Sequence, residues 1–142
     1  SHPEAMRQIR ADLSLLDTAV DEMLRWWTPV MTFRRTATAA CELAGQQIKQ
    51  GDKVVVSFSS GNRDEAVFEN PDAFDITRDP NPHLSFGYGP HFCIGAHLAR
   101  AQMKAIFTEV LTRIENIKQA GEIEYLQSNF QRGVKQLPIS FQ

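Results

Sequence analysis

The chain has 142 residues, 42% hydrophobic and 23% charged, with 15 basic against 17 acidic side chains and a net charge of −2. That length favours one domain of the usual ~100–200 residues, and the charge balance gives no argument for nucleic acid or an anionic membrane. No apolar run reaches the roughly 20 residues of a membrane span, and two cysteines, Cys41 and Cys93, are too few for a disulfide framework, so a reducing, cytoplasmic setting is expected.

Ser1-His2-Pro3-Glu4 is no initiator sequence and a helical pattern starts at once, so the chain is expected to be cut from something longer or to begin with added residues. Pro3, suited to a first helical turn, opens a short helix to about Arg10. A second helix is predicted from Ser14, where Ser14 and Asp17 resemble a capping box. Leu13, Leu16, Val20, Met23, Leu24 and Trp27 share one face of it. Thr28-Pro29 ends it, because proline disfavours a helical residue before it. Residues 31–38, rich in Thr and aromatics, read as a strand, and residues 42–49, bent at Gly45, as a small hairpin. Residues 54–58 are β-branched and apolar on both faces, the pattern of a strand interior to a sheet.

Residues 59–92 carry Pro71, Pro80, Pro82 and Pro90 with Gly61, Gly87 and Gly89, and offer little beyond a helical turn at 63–67. An ordered loop that long is usually functional. It runs into a strong helix over residues 94–116, with Leu98, Ile106, Val110 and Ile114 as its apolar stripe and Phe107 and Leu111 beside them. The tail reads as strands over 122–126 and 136–141 around a turn at 129–133. The order predicts an α+β, mainly helical chain without βαβ regularity.

The segment from His83 to Gly95 concentrates the chemistry. Gly87 and Gly89 permit sharp bends or close approach to a flat ligand. Cys93 sits at the mouth of the long helix, where unpaired N–H groups and the positive dipole end favour a negatively charged sulfur. Gly95 leaves room above the first turn. Three readings are open: a cysteine packed as a small hydrophobe; a zinc site from His83, His91, Cys93 and His97, although no Cys-x-x-Cys pair exists; and a haem thiolate. A phosphate cradle is not supported, since the third glycine of a dinucleotide fingerprint and the Lys-Ser/Thr of a P-loop are both missing.

The run Phe86-Gly87-Tyr88-Gly89-Pro90-His91-Phe92-Cys93-Ile94-Gly95 resembles the cysteine-loop motif of the cytochrome P450 family: Phe, two residues, Gly, three residues, Cys, one residue, Gly, with a basic residue two before the cysteine. Glu22-Met23-Leu24-Arg25 is similar to the family's Glu-x-x-Arg helix. By wheel geometry alone that pair lies away from the apolar stripe, as an exposed ion pair would; by resemblance it is a buried structural couple. Pro71-Asp72-Ala73-Phe74 matches the segment from which many relatives send a further Arg to the couple, with Ala73 in its place. Phe33-Arg34-Arg35-Thr36-Ala37 resembles the strand that supplies an Arg to a haem propionate, Arg35 being the better match and Arg34 the second.

The resemblance implies the C-terminal portion of the cytochrome P450 fold over residues 1–142, holding haem b through Cys93 as axial iron ligand, with His91 and Arg35 at the propionates and Phe86, Gly89 and Gly95 shaping the loop. It implies a haem-thiolate monooxygenase as the parent function, inserting oxygen into a hydrophobic substrate such as a sterol, isoprenoid or fatty chain, with electrons from a ferredoxin or flavoprotein. The distal oxygen-activating helix and most of the substrate pocket have no counterpart in the sequence. The alternative is therefore a truncated haem-binding or interaction module without turnover.

Overall fold

The computed structural model describes residues 2–142. Helix α1 (Pro3–Ala11) has Pro3 in its first turn and Glu4 near its positive end. The cap that follows is Asp12 rather than Ser14. Its carboxylate accepts from the Ser14 N–H at 2.9 Å and opens a 3-10 turn, Leu13–Leu15, ahead of α2 (Leu16–Trp27). An aspartate readily reaches the amide two residues on, which leaves Ser14 inside the turn. Helix α2 stops at Thr28, whose φ of 47° turns the chain while its N–H still reaches the Leu24 carbonyl at 2.9 Å.

Leu16 and Ala19 of α2 pack with Ile9, Ile76 and Leu111 into the core. Glu22 and Arg25 are buried as well, so the wheel reading of an exposed pair fails. The long loop covers the polar side of α2 and makes that side interior. Helix α4 (Ala96–Arg113) lies against α1 and α2. Ala96 and Leu111 are buried and Phe107 packs on the core, whereas Leu98 and Ile106, expected in the buried stripe, are 63% and 60% exposed. The helix is apolar on two faces, and periodicity does not say which one the fold covers.

Strands β1 (Thr32–Thr36) and β4 (Lys53–Ser57) pair antiparallel from Thr32↔Ser57 to Thr36↔Lys53. Strands β2 (Cys41–Leu43) and β3 (Gln46–Ile48) form the hairpin read from the sequence, its turn carrying φ of 49° at Ala44 and 78° at Gly45. Strand β4 is not interior to a sheet: among the described residues it pairs only with β1, and Val55 is 62% exposed. Its second apolar face instead puts Val56 beside Phe33 in a cleft. The helical turn in the loop falls earlier than expected, as α3 (Phe58–Gly61), because the Ser57 hydroxyl caps it directly after the strand, accepting from the Ser60 N–H.

The tail forms two antiparallel pairs, β5 (Lys118–Gln119) with β8 (Ile139–Ser140) and β6 (Glu124–Tyr125) with β7 (Val134–Gln136). Its turn is tied to the exit of α2, since Val30 bridges Gln131 and the Met31 N–H reaches the Phe130 carbonyl at 2.9 Å. No helix among the described residues is long and apolar enough to cross a membrane.

Candidate functional site

Two assemblies flank the long loop. The first is centred on Arg25 and Glu22, whose side chains have no exposure. Arg25 Nε donates to Glu22 Oε2 and one terminal nitrogen to Oε1, both at 2.7 Å. The other N–H groups of Arg25 go to the carbonyls of Asn62, Pro71 and Ala73 at 2.8–2.9 Å. Glu22 also accepts from the Asp75 N–H (2.9 Å), Asn81 Nδ2 (3.0 Å) and Arg78 Nε (3.2 Å). Burial alone would push the Glu22 carboxyl up; the hydrogen bonds from Arg25 and Asp75 and the charges of Arg25 and Arg78 outweigh it and hold the carboxyl below the usual range. Arg78 thus supplies the second cation that Ala73 lacks, while Ala73 contributes its carbonyl. Arg78 and Asn81 were not legible as partners, because their link to Glu22 spans more than fifty residues of sequence.

A neutral network joins this centre to the cysteine loop. Buried Asn62 donates to the Thr28 and Ser85 hydroxyls at 2.9 and 3.0 Å and accepts from the Leu84 N–H at 2.7 Å. The Ser85 hydroxyl donates to the Leu24 carbonyl at 2.7 Å. The end of α2 and the base of the loop are thereby one unit. From that base the loop closes on itself. The Cys93 N–H reaches the Phe86 carbonyl at 2.9 Å and the Phe92 N–H reaches that of Gly89 at 3.0 Å. Gly87 and Gly89 adopt φ of 75° and 72°, a region that side chains disfavour, which is why glycines stand there. Cys93 itself is exposed.

The loop forms one wall of a cleft of about 860 Å³, within the range of sites that bury small molecules. Phe86, His91 and Cys93 line that wall; Leu24, Val30, Phe33, Val56 and Phe58 make the apolar remainder, and Arg35 stands on β1. Alternation on the strand decides between the two arginines: Arg35 shares the cleft-facing side with Phe33, and Arg34 is not among the lining residues. Gly89 and Gly95 do not line the cleft. Gly89 opens the 3-10 turn that ends at His91, and a Cβ on Gly95 would stand 3.8 Å from the Cys93 sulfur.

The zinc set is not brought together. His83 turns to Asp21 Oδ1 at 3.2 Å, and among the described residues no three His, Cys, Asp or Glu side chains gather as metal ligands. Packing of Cys93 as a small hydrophobe fails too, because the residue is exposed. A haem fits what is present. The accessible sulfur suits iron, the aliphatic and aromatic walls suit a flat apolar ring, and Arg35 and His91 suit its two carboxylates.

Comparisons with known proteins agree with that geometry. The family model described as "Cytochrome P450" matches residues 2–140. The chain is 46% identical over 140 residues to "Cytochrome P450-terp" of a Pseudomonas species, covering 99% of this chain and 33% of that protein. It is 46% identical over 126 residues to a "Steroid C26-monooxygenase" of Mycolicibacterium smegmatis, covering 88% and 30%. Among solved structures it is similar to P450BioI in complex with hexadec-9Z-enoic acid ligated acyl carrier protein, with a TM-score of 0.96 and 39% identity, covering 99% of this chain and 37% of that one. The chain spans about a third of the length of these relatives.

Proposed function

The chain belongs to the cytochrome P450 family, and from that membership we propose that residues 1–142 form the cysteine-bearing, C-terminal part of a haem-thiolate monooxygenase. The observation that carries the proposal is Cys93, exposed on a self-closed loop in the wall of an apolar cleft that also holds His91 and Arg35. In this reading Cys93 would hold the haem iron through its sulfur, with the cleft between the loop and the β1–β4 pair as the site. The bound haem supplies the oxygen-activating iron, made electron-rich by the thiolate. Arg35 and His91 would hold the propionates, Phe86 would line the wall beside the sulfur, and Gly89 and Gly95 would set the bend and leave room for the ring. Glu22 and Arg25 brace the loop's far end and touch no reacting atom.

The wider activity concerns the parent protein: insertion of an oxygen atom into a hydrophobic sterol, isoprenoid or fatty chain, with a ferredoxin or flavoprotein as electron donor, in the cytoplasm. The names of the relatives support the sterol and acyl classes. For this chain alone a second reading applies, a haem-binding module without turnover. It is favoured by the lining of the cleft, where no carboxylate stands among the described residues to serve as a proton donor. Haem reconstitution, reduction and carbon monoxide give the test. The thiolate signature should disappear in Cys93→Ser and persist in Cys41→Ser; the reverse overturns the assignment. A coupled monooxygenase assay of the chain, with and without the remaining two-thirds of its parent, separates the two readings.

A further inference from the structure

The cysteine loop is also fastened from behind by a charged group that has no role in the site as described. Asp21 precedes Glu22 on α2 but contacts a different set of residues. Its Oδ1 accepts from Arg100 Nε on α4 at 2.6 Å and lies 3.2 Å from His83 Nε2. The His83 side chain is 2% exposed. Its other nitrogen accepts the Ser85 N–H at 3.2 Å, which leaves the ring proton on Nε2, facing Asp21. Both partners of Asp21 then bear on one ring. The Arg100 guanidinium carbon is 4.7 Å from the Phe86 centroid, and the His83 ring is 5.8 Å from it. The Phe86 carbonyl in turn receives the Cys93 N–H at 2.9 Å. Burial would raise the Asp21 carboxyl, yet the hydrogen bonds from His83 and Arg100 and the charge of Arg100 hold it below its usual value, as fits an ionised bridge.

We propose that Asp21 is a positioning residue for the Cys93 ligand: through His83 and Arg100 it clamps Phe86 and so fixes the backbone that presents the sulfur. The inference rests on the haem-thiolate reading. A second ion pair between the same helices isolates the effect. Asp17 binds Lys104 Nζ at 2.5 Å, one turn earlier on α2, without touching the loop. If helix docking were all that mattered, the two pairs would differ only as their exposure does, 28% for Asp21 against 75% for Asp17. They differ because only Asp21 connects to residues that hold Phe86. Groups that hold a metal ligand in place tune the metal as well as its affinity.

The test uses the haem-loaded parent protein and, in parallel, this chain without haem. Asp21→Asn should speed hydrogen exchange of the Cys93 and Ser85 amides by about tenfold, as local opening of one loop does. It should also displace the reduction potential and the carbon monoxide band of the loaded protein. Asp17→Asn should do neither, and Asp21→Glu should restore part of the exchange protection. Arg100→Gln keeps the Asp21–His83 contact but takes the cation off Phe86, and should give a smaller displacement in the same direction. Should Asp21→Asn not fold, Arg100→Gln decides by itself: an unchanged potential and band there overturn the proposal. Equal displacements in Asp17→Asn and Asp21→Asn, or none in either, overturn it too. A wild-type protein without a thiolate signature would instead overturn the haem reading, while amide exchange on the haem-free chain still reports on the clamp.

Discussion

The Glu22–Arg25 centre and the Cys93 cleft share the long loop, yet they differ in how far their polar groups are satisfied. At the first, Arg25 uses all five of its N–H donors and Glu22 takes five hydrogen bonds from Arg25, Asp75, Arg78 and Asn81. At the second, Cys93 and His91 are exposed, and the one hydrogen bond of the Arg35 guanidinium goes to its neighbour's carbonyl, 3.2 Å away. A buried charge is tolerable only when its lone pairs and protons are matched; the Glu22 and Arg25 side chains meet that condition and have no exposure, with Asn81 Oδ1, among the described residues, the one unpartnered acceptor beside them. Unmatched groups around an apolar hollow are what a ligand with carboxylates and a coordinating metal can complete. Saturation therefore separates the part that holds the fold from the part suited to hold a cofactor.

The largest expected effect breaks the closed region. Glu22→Ala leaves Arg25 and Arg78 buried without a counter-charge, which costs about 3–5 kcal/mol, a large share of a marginal stability of ~5–15 kcal/mol. Urea titration should read that loss, and the parent protein should fail to keep haem. A loss below about 1 kcal/mol would place the pair among exposed ones such as Arg113–Glu109. The same centre sets an acid limit. Because the Glu22 carboxyl is held below its ordinary value of 4.5, its contribution is complete above that pH and is lost as pH falls through the lower, folded value. Glu22→Gln should flatten that part of the stability–pH curve, and an unchanged acid limb would contradict the assignment.

The open region should respond through its ligand. Arg35→Gln removes a charge-assisted contact worth about 1.5–3 kcal/mol, so haem affinity should drop roughly 10- to 150-fold with little change in urea midpoint. Arg34→Gln, on the outer side of β1, should leave both unchanged. The opposite pattern, measured by haem dissociation, would move the propionate contact by one residue.

Much of the arrangement was legible because it is local. The cysteine loop carries its own glycines and the hairpin its own turn, while the preference for Arg35 over Arg34 came from the resemblance. What stayed hidden depends on contacts distant in sequence. Nothing in the spacing of Glu22 and Arg25 says that residues 62–81 wrap over them; the wheel put the pair outside, and only the resemblance made it a buried couple, as the structure has it. The α4 stripe fails for a related reason: Leu98 and Leu111 are equally apolar, and only the position of α2 decides that Leu111 is covered. Asp21 and Arg100 are 79 residues apart in sequence, and only the fold brings them together with His83.

The smallest expected effect is also the sharpest comparison. Restoring the arginine of related sequences, Ala73→Arg, would add a cation next to the Glu22 centre if that centre had a vacant acceptor. Glu22 itself has none to spare, and among the described residues the one open acceptor beside it is the buried Asn81 Oδ1. Arg78 and Asn81 already occupy Glu22 Oε2 with Arg25 Nε, and Ala73 serves through its carbonyl, 2.9 Å from Arg25, while its side chain is exposed. The new guanidinium would face water, so stability should change by less than about 0.5 kcal/mol, the range of ordinary surface substitutions. In an Arg78→Ala background the same change should recover part of the lost stability, because one lone pair of Glu22 is then free. Stabilisation by Ala73→Arg alone, read from the urea midpoint, would show that the closed region is not saturated.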